Sequence, residues 1–344
     1  MKYYLSLCCI IKNEKYIEEF IIYHHLAGVE HFYIYDNNSD YPLRDRLNSF
    51  YYKKICTIID FPGMSKQMPA YKHCINTYRD ETKWLIIIDG DEFILPKSNF
   101  NSIRDFLNNY EDYHAIGINW MLFGSSFHDS IQNGFQTDIY RYCEGTQNDH
   151  IKSIVQPKYV YDVDHPHFVK LHDPSKYVDS KKNIIHGPFN KNYTIDLIQI
   201  NHYHFRSKED NINKHNRGNA DGTDRISINS NHHVCCNNII DNFLPNKYLE
   251  FIKKTFNKTG TNGEIYKALN DDLHFDTMDE YYEHLYKTML IEDRPCHITD
   301  KFPNFNREIY RNNYDDLKNL DDLHIELHYI YDGFNQNRIC DIII

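Results

Sequence analysis

Apolar and polar residues fall in blocks along the first hundred positions, and the blocks set the predicted elements. Residues 4–11, YLSLCCII, are almost continuously apolar, which suits a strand buried on both faces. In KYIEEFIIYHHLAGVE, Ile17, Phe20, Ile21 and Leu26 fall at helical spacing and Gly28 closes the run. HFYIYDNNSD reads as a second strand passing into turn residues, and KICTIIDFP as a third. MPAYKHCINTYRDE reads as a second helix, and WLIIIDGDEF as a fourth strand. Strand, helix, strand, strand, helix, strand with short links predicts an α/β chain. Its sheet should be open, mostly parallel and flanked by helices. Ligands of such sheets sit beyond the carboxyl ends of the strands. The polar clusters KNE, DNNSD and DGDE end three of these strands and should converge on one crevice.

Further along, AIGINWMLFGSS and KSIVQPKYVYDV are strand candidates, and the His-, Asn- and Asp-rich stretch 162–234 reads as loop-heavy. From about residue 240, NKYLEFIKKTF, MDEYYEHLYKTML and HIELHYIYDG predict a small helical C-terminal region. No internal repeat stands out, and no Pro- or Gly-rich linker separates the parts. The expected division is residues 1–235 and 240–344.

The totals narrow the function classes. A net charge of −11 over 344 residues argues against nucleic acid as a partner, because phosphate binding needs clustered Lys and Arg. Nine cysteines, an odd number without a CxxC spacing, read as the reduced thiols of a cytoplasmic protein rather than a disulfide framework or zinc cluster. No run approaches the ~18–20 apolar residues of a spanning helix, so a soluble chain with no transmembrane segment is expected. Oligomeric state is not specified.

The chemistry concentrates in WLIIIDGDEFILP, residues 84–96, where Asp89, Asp91 and Glu92 follow one of the most apolar runs in the chain. Crowded carboxylates repel one another and resist desolvation, so they need water or a positive partner. In an extended segment Asp89 and Asp91 point to the same side, with Gly90 leaving room for close approach. Two hard oxygen donors at that spacing suit Mn²⁺ or Mg²⁺ with a substrate diphosphate. The bland alternative is a solvated acidic turn. Two metal chemistries fit: sugar transfer from a nucleotide donor, or a phosphohydrolase with Asp89 as nucleophile. A non-catalytic carbohydrate-binding protein is the third reading. The Asp-x-Asp lies far from the chain start and is followed by Glu92-Phe93, which favours the transferase.

IIKNEKYIEEFIIYHHLAGVEHFYIYDNNSD, WLIIIDGDEFILP, INWMLFGSS, KSIVQP and INHYHFRSKEDNINKHNRG occur in this order and together resemble glycosyltransferase family 92 and its family-2-like relatives. The resemblance covers about residues 5–220. It implies a GT-A fold and a metal-dependent, inverting hexosyltransferase moving sugar from a nucleotide donor, with UDP expected, to a glycan or other hydroxyl acceptor. Asp89 and Asp91 match the ion-binding motif, and Asp36 matches the acidic residue that contacts the nucleoside. Lys12 and Glu14 match the end of the first strand. His202 matches the late histidine that completes the metal shell, with His204 its rival and a structural histidine among 21 the bland reading. Arg206 and Lys208 follow as cations for the departing diphosphate, or as a solvated helix start. Trp120 is a candidate sugar platform or a core residue. For the base that takes the acceptor proton, Asp129 is the first choice, ahead of Asp162, Asp164, His165, His167 and His128.

The C-terminal stretch FNREIYRNNYDDLKNLDDLHIELHYIYDGFNQNR resembles a helical module appended to bacterial and viral glycosyltransferases. Tyr310, Tyr314, Asp316, Leu317, His328, Tyr329, Gly333 and Arg338 follow its pattern. A packing or docking role is expected.

Overall fold

The computed structural model describes residues 1–146, 148–217, 236–288, 292 and 294–341. Its chain divides into two compact units, Met1–Asn48 with Tyr52–Ile252, and Ser49–Tyr51 with Lys253–Ile344. The division falls within the helix Phe243–Thr259.

The first unit is built on one large, mostly parallel sheet. Strands β1 (Tyr3–Ile11), β2 (His31–Asp36), β3 (Cys56–Asp60) and β4 (Thr82–Ile87) lie parallel in the order β3–β2–β1–β4. Helices α1 (Ile17–Leu26) and α2 (Gln67–Tyr78) form two of the connections, as the apolar spacing predicts. Beyond β4 the sheet continues through β7 (Ile151–Val155), β6 (Ala115–Leu122), β8 (Ile198–His202) and β5 (Glu92–Pro96). Strand β7 is antiparallel to β4 and β6, β8 is parallel to β6, and β5 is antiparallel to β8. This is the open, mostly parallel, helix-flanked sheet expected. Its core buries Leu85 and Ile87 of β4 with Ile10 of β1 and Tyr71 and Cys74 of α2.

Because β5 and β7 run against the rest, their first residues lie at the same edge as the last residues of β1, β2, β3, β4, β6 and β8. One edge therefore collects residues from eight strands.

Three sequence expectations change. WLIIIDGDEF is not one strand: β4 stops at Ile87 and β5 begins at Glu92, and β7, β6 and β8 lie between them in the sheet. Residues 88–91 form a turn, in which the Glu92 N–H donates to the Asp89 carbonyl at 3.1 Å. The same-side argument for Asp89 and Asp91 assumed an extended segment and therefore lapses. KSIVQPKYVYDV likewise splits into β7 and Val160–His165, separated by a helical turn at Pro157–Tyr159, where proline supplies no N–H to a ladder. The loop-heavy stretch 162–234 contains β8, the strand Phe168–Leu171 and helix α3 (Lys208–Arg217). Its residues 218–234 lie outside the described residues.

The second unit is helical, with α4 (Gly263–Leu269), α5 (Met278–Thr288), α6 (Arg307–Asn313) and α7 (Asp322–His328). It has its own buried clusters, one around Tyr266 and one around Tyr310. Among the described residues no helix is long and apolar enough to cross a membrane, and eight cysteines are free thiols.

The tightest point of the β4–β5 turn is Gly90, where an added Cβ would lie 2.9 Å from Ile11 Cγ2 and 3.4 Å from Glu14 Cγ. Gly90→Ala must push these two side chains or the turn aside. We expect a loss of about 1–3 kcal/mol, measured by urea denaturation; an unchanged midpoint would show that the turn yields freely.

Candidate functional site

The shared edge holds the acidic turn, and every carboxylate of the turn meets a cation or a hydrogen-bond donor. Asp89 receives Gln67 Nε2 at 2.7 Å and the Tyr71 hydroxyl at 3.1 Å on one oxygen, both from α2. Its other oxygen receives Lys152 Nζ at 2.8 Å. Lys152, second residue of β7, has only 1% of its side chain exposed, whereas Asp89 keeps 32% and still faces the crevice. Burial opposes the charge of Asp89, but the Lys152 ammonium outweighs it and holds the carboxyl below its usual range.

Glu92 is fully buried. Its Oε2 accepts the Asp89 N–H at 2.8 Å and lies 3.7 Å from Lys152 Nζ. Burial pushes this carboxyl well above the usual range, with Lys152 opposing the shift and Asp89 adding to it. Among the described residues its Oε1 has no hydrogen-bond partner and lies 3.7 Å from His202 Nδ1, which is also without one there.

Asp91 faces another set of partners. Its Oδ1 lies 3.5 Å from His202 Nε2, and its Oδ2 accepts from Lys214 of α3. Burial works against its charge, yet Lys214, His202 and Arg206 hold it well below the usual carboxylate range. His202 is the last residue of β8, paired in register with Glu92 of β5, and burial lowers its pKa against the opposing pull of Asp91. A neutral imidazole is the form that binds metal. Asp91, His202 and His204 each offer one ligand atom, and these atoms all lie within 4.8 Å of one another. One carboxylate oxygen and two imidazole nitrogens make a donor set that fits a divalent first-row ion.

The other sequence candidates separate. Glu14 and Arg206 pair at 2.7 Å, with the guanidinium 4.8 Å from the centre of the Tyr16 ring. Burial opposes the Arg206 charge, while Glu14 and Asp91 reinforce it more strongly. Lys12 is half-buried at the end of β1. Each oxygen of Asp36 accepts a main-chain N–H, from Ser39 at 2.9 Å and Leu43 at 3.0 Å, so this carboxylate shapes the turn after β2. Lys208 is exposed at the start of α3. Asp129 is exposed, and its main-chain carbonyl accepts the Glu209 N–H at 3.0 Å. Trp120 is not open to a sugar face: His150 stacks on it at 4.9 Å, and His202 and His167 meet it at 4.4 and 4.8 Å.

Sequence reasoning missed Lys152 and Lys214. The signal for Lys152 was present, since a lone lysine inside the apolar run IKSIV must find a carboxylate if the strand is buried. Nothing in KEDNINKHNR, polar except for Ile212, distinguishes Lys214.

Residues 3–258 match the family model described as glycosyltransferase family 92. A family 92 protein of Oryza sativa subsp. japonica is 30% identical over 209 residues, covering 59% of this chain and 33% of the relative. One of Ricinus communis is 34% identical over 171 residues, covering 46% and 29%. The chain thus spans about a third of the length of the curated relatives it matches. Among solved structures, S. aureus TarS 1–349 in complex with UDP aligns with TM-score 0.31 and 11% identity over 45% of this chain and 47% of that one. HddC from Yersinia pseudotuberculosis aligns with TM-score 0.30 and 14% identity over 52% and 91%. Both alignments are too remote to bear on the site.

Lys152→Met keeps the stem and removes the charge beside the half-buried Asp89 and the buried Glu92. Breaking a buried pair in this way costs about 3–5 kcal/mol, and Glu92→Gln in the same chain should recover part of the loss. Urea denaturation of the single and double variants measures both effects. A single variant within 1 kcal/mol of the parent would mean that Asp89 and Glu92 do not depend on Lys152.

Proposed function

The chain belongs to glycosyltransferase family 92, and from that premise we propose that it transfers a sugar from a nucleotide donor, UDP first among those to test, to a hydroxyl acceptor with inversion. The observation that carries this reading is the convergence of Asp91, His202 and His204 at the carboxyl edge of the sheet, beside Asp89. These three residues would hold a divalent ion, and the two imidazoles favour Mn²⁺ over the oxygen-seeking Mg²⁺. When bound, that ion would supply positive charge to a departing diphosphate. The buried Glu14–Arg206 pair brings a further fixed cation to the same region, and Lys12 and Lys208 flank it in sequence. Asp36 orders the turn after β2, where the nucleoside would lie.

For the acceptor base, Asp129 remains the first choice. Asp162 is tied to Lys72 at 2.8 Å, and Asp164 is tied to Lys170. His167 directs Nδ1 at the Ile151 carbonyl, and burial and Lys152 push its pKa down to about 2, which makes it a weak base. The Asp129 carboxylate has no such commitment among the described residues. Phosphohydrolase chemistry is disfavoured because both oxygens of Asp89, its nucleophile, already accept strong donors.

The test is donor binding coupled to the ion. UDP with Mn²⁺ should raise the melting temperature, since a ligand at ~100 times its Kd adds about 2.7 kcal/mol to the native state. Asp91→Asn should lose that gain while keeping the fold, and His202→Ala should weaken Mn²⁺ binding more than His204→Ala. Equal stabilisation by UDP with and without EDTA would sink the metal-dependent reading. Release of inorganic phosphate instead of UDP would move the chain to the hydrolase class. For the base, Asp129→Asn should reduce turnover by roughly 10²- to 10⁴-fold with donor affinity unchanged.

A further inference from the structure

The helical second unit contains one pattern twice. NGEIYKALNDDL, residues 262–273, recurs 44 positions later as NREIYRNNYDDL, residues 306–317, and His284 recurs at the same interval as His328. The structure repeats the roles as well as the letters. Asn262 caps α4 by accepting the Glu264 and Ile265 N–H groups, and Asn306 caps α6 by accepting the Ile309 N–H. The Tyr266 hydroxyl meets His284 Nδ1 at 3.1 Å, and the Tyr310 hydroxyl meets His328 Nδ1 at 2.9 Å. Arg294 pairs with Asp272 at 2.8 Å, and Arg338 pairs with Asp316 at 2.9 Å. The buried set Tyr266, Tyr281, Leu285 and Cys296 returns as Tyr310, Ile325, Tyr329 and Cys340.

The sequence expectation of no internal repeat is therefore overturned. The first copy escapes a motif reading because Asn270 stands where the second has Tyr314, and Leu285 where the second has Tyr329.

The differences between the copies locate the surface that joins them. Helix α4 of the first copy packs against α7 of the second and against the turn Tyr329–Gly333 that follows it. On α4, Ala268 and Leu269 are buried, while their equivalents on α6, Asn312 and Asn313, are exposed. On α7, the half-buried Leu323 and Leu327 stand where α5 has Asp279 and Glu283. Each copy is thus apolar on the side that meets the other and polar at the equivalent outer position. Helical repeats bury their faces by stacking on neighbours, and terminal repeats carry polar outer faces.

We propose that residues 262–340 form an array of two 44-residue helix-pair repeats, whose stacking surface takes its partner from the same chain. The array behaves as one cooperative body, because the first repeat loses the cover of Ala268 and Leu269 when the second separates.

Two equivalent double substitutions in the full chain test this by amide hydrogen exchange and light scattering. Ala268→Asn/Leu269→Asn should speed exchange at least about tenfold in α4 and α7 together, while exchange in β1, β4 and β6 stays unchanged. Asn312→Ala/Asn313→Ala, at the outer position, should leave the first repeat unaltered. Leu269→Ala is the milder seam variant if the double one does not fold, with the same paired response expected. Acceleration confined to α4 would overturn the proposal. So would equal responses to the seam and outer-end pairs, or a change in molar mass on the seam substitutions, which would assign the seam to contact between chains.

Discussion

A carboxylate taken out of water at the end of a sheet must be neutralised where it stands, and this requirement organises the first unit. Asp89, Asp91 and Glu92 cannot share one turn without cations or donors reaching them from other elements. They arrive from three directions: Gln67 and Tyr71 from α2, Lys152 from β7, and Lys214 from α3. Asp89 and Asp91 are thereby given separate surroundings. The first is fixed by a lysine that is itself almost wholly buried, and the second opens toward two histidines. Two acidic residues one glycine apart thus meet different partners.

Much of the sheet was legible because its signals are local. Continuous apolar runs marked β1, β2 and β4, and the helical spacing of Ile17, Phe20 and Ile21 marked α1. The convergence of KNE and DGDE followed from parallel neighbours ending at one edge, and the approach of Gly90 to Glu14 bears it out. What local pattern could not show was the order of strands beyond β4. The turn at residues 88–91 looks like strand because isoleucines precede it and Phe93, Ile94 and Leu95 follow it. Only the insertion of β7, β6 and β8 reveals the break.

The same limit governed the site. His202 and His204 were visible as a pair of candidates, but their distance from Asp91 depends on β8 pairing with β5, a contact between segments about a hundred residues apart. Lys152 and Lys214 were missed for the reason that pairing partners usually are: the sequence names a charge but not the direction from which its counter-charge will come. The repeat in the second unit was missed for another reason. Its first copy breaks the tyrosine pattern, with Asn270 where the second has Tyr314 and Leu285 where the second has Tyr329.

The antiparallel placement of β7 has a consequence for how this edge can change over evolutionary time. Lys152 reaches Asp89 because of its register, with Ser153 opposite Ile87 and Lys152 opposite Ile118. A slip of one residue along either neighbour turns every side chain of the strand to the other face. The ammonium would then leave the acidic turn, and an apolar residue or Ser153 would replace it. Insertions and deletions in the connections flanking β7 are therefore constrained by charge as well as by packing. A lineage can vary the length of those loops freely only while the strand between them keeps its phase.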